Sequence, residues 1–144
     1  MDFFSSMDVS ASAMTAERTR MNLISSNLAN ANSTRTAEGG PYRRKDAVFT
    51  AAPLPGSFGE RMNRAGRGVE KVEVSGIVVD QSPPRMQYDP TNPDADPQGY
   101  VALPNVNVIE EMTDMIAATR AYEANVTAAQ AAKNMALKTL ELGK

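Results

Sequence analysis

The sequence predicts an α+β protein in which long N- and C-terminal helices form an antiparallel, coiled-coil-like hairpin, with a small antiparallel β unit and long loops between them. Three observations carry this expectation. Apolar residues recur every seventh position near both ends of the chain, and all nine prolines and eight of the nine glycines fall between Gly39 and Pro104. Short β-branched or aromatic runs bounded by turn residues fill that middle stretch. The expected organisation is a helix over residues 1–34, a β-rich segment over 35–104 with a mobile loop at 52–68, and a second helix over 105–144.

The C-terminal helix is the clearest element. From Val108 to Leu142, Met112, Thr119, Val126, Lys133 and Leu140 lie seven residues apart, and Met115, Tyr122, Ala129 and Ala136 follow the first four by three residues. That is the spacing of a stripe down one helix face, and such a seam needs a partner. Asn107 followed by Glu110 has capping-box spacing, Glu110, Glu111 and Asp114 load the first turns with acid, and Lys133, Lys138 and Lys144 bring base toward the end, where Gly143 supplies a stop. At ~1.5 Å per residue the element reaches roughly 50 Å, more than a small globular core needs. It is a rod-like interaction element.

The N-terminal helix is weaker. Met7, Met14, Met21 and Leu28 repeat at seven, supported by Phe4, Ala11, Ile24 and Ala31, with no Gly or Pro from Asp2 to Ala31. Ser10 and Glu17 interrupt the seam, so the first half is expected to order only on docking. Asn27, Asn30 and Asn32 then crowd its end. The plainer reading is a fraying terminus, since asparagine tolerates the left-handed conformation and its amide competes with the helix; the functional reading is a strip of amides offered to neighbouring subunits.

In the middle, Tyr42 to Thr50, Val69 to Val74, Ile77 to Val79, Arg85 to Tyr88 and Tyr100 to Leu103 read as short strands. Residues 35–71 carry eight basic and four acidic side chains, whereas residues 73–144 carry ten acidic and five basic ones. Copies of the chain could therefore attract one another. Sparse aromatics and an acidic overall balance argue against nucleic acid. Asp89, Asp94 and Asp96 do not have calcium-loop spacing and read as a solvated turn.

Composition excludes much chemistry. The chain has neither cysteine nor histidine, so thiolate nucleophiles, imidazole acid–base catalysis and the usual zinc sites are out of reach. No catalytic, cofactor or metal site is expected. The net charge is −2, no apolar run approaches the ~18 residues of a membrane span, and the start lacks the features of a cleavable signal.

Several motifs carry a resemblance. The stretch from Met21 through Asn27 and Asn30 to Asn32 resembles the asparagine-rich N-terminal motif of the bacterial flagellar axial family, the rod and hook proteins. Pro41-Tyr42-Arg43-Arg44, Tyr88-Asp89-Pro90, Asn92-Pro93, Gly99-Tyr100-Val101, Pro104-Asn105-Val106-Asn107 with Glu111, and Arg120-Ala121-Tyr122-Glu123-Ala124-Asn125 are similar to the proximal-rod members in particular. The resemblance implies a structural subunit of the basal-body rod, located in the periplasm and exported unfolded by the flagellar type III export apparatus. It implies a homo-oligomer whose partners are the rod proteins FlgB, FlgF and FlgG and the base adaptor FliE. The alternative from the residues alone is a soluble helical adaptor or export chaperone using the same seam.

Overall fold

A computed structural model describes residues 3–54 and 69–142. Six elements follow one another: α1 (Phe3–Ala29), β1 (Lys45–Pro53), β2 (Glu70–Val79), β3 (Arg85–Tyr88), β4 (Tyr100–Leu103) and α2 (Val108–Leu142). The expected loop over 52–68 lies mostly outside the described residues. Where it is described it differs from expectation, because Ala52 and Pro53 extend β1 and Leu54 is buried.

The two helices run antiparallel. Asn27 meets Glu111, Arg20 reaches Asp114 at 3.9 Å and Met21 touches Thr119. At the far end Phe3 and Phe4 share an apolar groove of about 610 Å³ with Ala132, Met135 and Leu140. Ala16 on α1 and Ala118 and Ala132 on α2 are among the buried residues.

Burial on α2 corrects the expected seam by one residue. Glu111, Ala118 and Ala132 are buried and Asn125 half-buried, with Met115, Tyr122, Ala129 and Ala136 half-buried beside them. Met112 and Leu140 are 55% and 70% exposed, and Thr119 and Lys133 are also exposed. The larger apolar residues drew the expectation toward the wrong line. Close packing selected alanine, because a large side chain on the contact line would push the helices apart. Val126 is half-buried on the flank. On α1, Ile24 is buried, Met14, Met21 and Leu28 are half-buried, and Met7 is at the margin of exposure. Ser10, expected to weaken the seam, is buried.

The middle segment forms two separate two-stranded sheets rather than one unit. In the first, β1 pairs antiparallel with β2 from Lys45↔Val79 to Pro53↔Glu70, with a bulge beside Val48 that leaves Ser75 outside the register. The two runs expected on either side of Ser75 and Gly76 are thus one strand. This hairpin lies along α1: the Val72 amide donates to Ser12 Oγ at 3.1 Å at one end, and Lys45 bonds Asn27 at the other. The second sheet pairs β3 with β4; Val101 and Leu103 on β4 are buried while Met86 and Tyr88 stay exposed.

The β3–β4 loop is built from short polar turns. Asp89 accepts from Thr91, Asn92 from the Asp94 amide, and Asp96 from the amides of Gln98 and Tyr100. Asp89 and Asp96 are thus engaged with backbone N–H groups, and Asp94 accepts from Thr34 Oγ1 at 2.8 Å and lies 3.9 Å from Arg35. Pro93 is exposed within this loop. Gly99 stands at φ +85°, where a Cβ would meet Tyr88 Cε2 at 2.9 Å, so only glycine fits. It lets the rings of Tyr88 and Tyr100 meet edge to face at 5.3 Å.

Candidate functional site

At the asparagine-rich end of α1 the side chain of Asn27 turns inward. Asn27 is 1% exposed, and its amide uses its full bonding capacity. Nδ2 donates to Lys45 O at 2.9 Å and to Glu111 Oε2 at 3.0 Å. Oδ1 accepts from Tyr42 Oη at 2.9 Å and from Lys45 N at 3.0 Å. One side chain therefore ties α1 to β1, to the approach to β1 and to α2, across as many as 84 residues of sequence. A buried amide matched in this way resists displacement, since moving it breaks four hydrogen bonds at once.

Around Asn27 the polar groups form a chain. Glu111 is fully buried, and its Oε1 accepts from Arg44 Nε. Arg44 also lies 3.3 Å from Asp46 and 3.6 Å from Asp114, and Asp114 continues to Arg20. Burial opposes the Arg44 charge, but the hydrogen bond and charge of Glu111, followed by those of Asp46, outweigh it and raise the guanidinium above its ordinary value. The Arg44 amide donates to Asn105 Oδ1 at 2.9 Å, and the Asn105 amide group reaches the carbonyls of Asp80 and Ser82. The hub thus draws in the segment after β2 as well.

Local sequence makes these placements. Asn107 caps α2, its Oδ1 accepting from the Ile109 amide, and this first turn rotates Glu111 inward. The capping-box role expected of Glu110 is not seen; Glu110 is exposed. Tyr42 is buried beside Ala31 and Val106, and its amide donates to Ser33 O at 3.1 Å. The intervening Thr36–Gly40 turn needs Gly39 and Gly40 at positive φ, and Pro41, half-buried, leads into Tyr42. Among the described residues no non-glycine adopts positive φ, so the asparagines are not there for left-handed backbone.

Other motif residues lie outside the hub. Asn30 caps its own helix, donating to Ser26 O and accepting from Ser33, while Asn32 is exposed. Asn125 donates back to Ala121 O, and Arg120 is exposed. The residue sequence reasoning missed is Arg44. Its signal was available, because a buried glutamate on α2 requires a cation, but nothing in the spacing showed that Glu111 rather than Glu110 turns inward.

The ends of the chain match two family descriptions: residues 7–35 match the flagella basal body rod protein, and residues 98–142 the flagellar basal body rod FlgEFG protein C-terminal region. Full-length relatives agree. The chain is 45% identical to the flagellar basal-body rod protein FlgC of Bacillus subtilis, with 100% of both chains covered. It is 43% identical to that of Borreliella burgdorferi, covering 94% of this chain and 93% of the relative. It is 41% identical to that of Aquifex aeolicus, covering 100% of this chain and 99% of the relative. A helix pair pinned by one buried amide, with the family motifs at its pinning residues and likeness along the whole chain, places this protein in the FlgC family of flagellar basal-body rod proteins, as a structural subunit of the rod.

Proposed function

We propose that the chain builds the proximal part of the rod, with the α1–α2 pair as the element that docks against neighbouring subunits. The observation carrying this reading is a mismatch along α2. Its inner line is satisfied by α1, yet its outer surface presents Ile109 at 76%, Met112 at 55%, Ile116 at 55%, Leu137 at 49% and Leu140 at 70% exposure. Large apolar side chains at both ends of one helix mark an interaction surface. The neighbours are further copies of the chain, FlgB, FlgF, FlgG and the adaptor FliE. The rod lies in the periplasm, reached through the flagellar type III export apparatus; the targeting information lies within residues 1–30. The assembly carries load and performs no catalysis. Among the described residues no helix is long and apolar enough to cross a membrane.

The test is site-directed photocross-linking from Ile109, Ile116 and Leu137 in purified basal bodies. Adducts to rod proteins or to a second copy support this surface, and adducts solely within one chain refute it. For export, a chain lacking residues 2–20 should remain in the cytoplasm. If it reaches basal bodies, the signal lies elsewhere.

A further inference from the structure

One carboxylate is left over. Glu17 belongs to the line Ser10, Glu17, Ile24, Ala31, in which the other three residues are buried. It lies one turn before Arg20 and Met21, both of which reach α2, so it shares their face. Its Oε2 is shut off from solvent and has no hydrogen-bond partner, the only such side-chain atom among the described residues. The contrast with Asn27, ten residues further along α1, is plain: there every donor and acceptor is matched.

No donor of the opposite stretch of α2 reaches this oxygen. The antiparallel register that sets Met21 beside Thr119 brings Glu17 level with the turn around Tyr122. The Asn125 amide in that turn donates to Ala121 O. Arg120 and Lys133 are exposed and form no ion pair among the described residues. A carboxylate oxygen cut off from water and left unpaired destabilises the isolated helix pair. The rest of the side chain is only half-buried, so a donor on another subunit can approach it. Unpaired cations exist on every copy of the chain: Arg18, Arg120, Lys133 and Lys138 are exposed and in no ion pair among the described residues. Two parallel bonds to a guanidinium, or one to an ammonium, would satisfy the carboxylate.

Resting on the rod-subunit reading above, we infer that Glu17 is an acceptor completed during assembly by a lysine or arginine of a neighbouring rod subunit. It gives the seam a charge that is unfavourable in the free chain and favourable in the rod. This favours joining over remaining alone.

The two effects have opposite signs, which makes them separable. In purified Glu17→Leu, removal of the orphaned oxygen should raise Tm by about 3–6 °C. In cells the same variant should be exported but fail to enter basal bodies, and swimming should fall to that of a deletion strain. Glu17→Gln keeps an acceptor without the charge, so swimming should be reduced without being abolished. A Tm for Glu17→Leu equal to or below wild type means that the carboxylate is already satisfied in the free chain, and overturns the inference. Wild-type swimming by either variant does the same. Retention of Glu17→Leu in the cytoplasm would locate the defect at export and also overturn it. The wild-type chain, run in parallel, must be found in basal bodies; its absence there would refute the rod reading itself, a distinguishable result.

Discussion

Replacing Asn27 with alanine tests the hub at its centre. The substitution deletes four hydrogen bonds of 2.9–3.0 Å and leaves their partners behind. The Lys45 backbone groups belong to an exposed residue and recover part of their loss from water. Tyr42 Oη and Glu111 Oε2 lie in buried side chains; Tyr42 keeps only a longer contact to Ser26 Oγ at 3.4 Å, and Glu111 Oε2 loses its amide donor. At roughly 1–3 kcal/mol for each orphaned buried polar group, and more for a charged one, the expected loss is about 3–5 kcal/mol. Domains of this size are stable by ~5–15 kcal/mol in all. With a urea m-value of ~2 kcal/mol/M, the midpoint should drop by about 2 M at unchanged slope. Asn27→Asp makes the test sharper. It matches the amide in shape and can still accept from Tyr42 and Lys45 N, but it sets a charge against Glu111 and the Lys45 carbonyl. It should be at least as damaging as alanine. A loss below about 1 kcal/mol for alanine, or a harmless aspartate, would refute the claim that matched hydrogen bonding is what holds the helices in register.

Further expectations concern the seam, the loop and one carboxylate. Ala118→Phe on the buried line should overpack the helix interface and cost about 1–3 kcal/mol in thermal melts, whereas Leu140→Ala on the exposed line should leave the isolated chain unchanged and weaken incorporation into rods. Equal effects in melts would restore the original register. Val126→Asp on the flank should reduce rod assembly while the subunit is still made; swimming at wild-type speed would show that this flank meets no partner. Gly99→Ala meets both the positive φ and Tyr88 Cε2 at 2.9 Å, so the Tyr88–Tyr100 ring contact should be lost in NMR spectra; its survival would contradict the steric argument. Hydrogen bonds from the Ser82 hydroxyl and amide lower the Asp80 carboxyl below its ordinary value of 3.8. Its contribution is therefore present above pH 3.8 and fades as pH falls through the lowered value. Carbon-detected titration should show this, with Ser82→Ala moving the midpoint upward.

Both long helices, their antiparallel pairing and most strands could be read from the sequence, because periodicity and proline placement act locally. The contact line of α2 could not. Met112, Val126 and Leu140 form a more apolar stripe than Glu111, Ala118 and Ala132, and hydrophobicity alone prefers them. Separation between helices decides the matter, and it is a property of the pair. The hub was hidden for a similar reason: Asn27, Arg44 and Glu111 are each ordinary surface residues by type, and only their convergence makes burial tolerable. The asparagine-rich motif was visible as composition, but its role depends on Lys45 and Tyr42 arriving from the next segment. Joining Val69–Val74 to Ile77–Val79 through a bulge likewise required β1 as the template.

The account rests on α1 and α2 being paired within one chain in the assembled rod. The chain contains no native cysteine, so Met21→Cys with Thr119→Cys, at side chains in contact in the structure, can be joined by a short thiol-reactive linker in purified basal bodies. We predict an intramolecular product that migrates as a monomer, with Met7→Cys and Thr119→Cys giving none. Products formed only between two chains, or a link in the control but not in the test pair, would contradict the account.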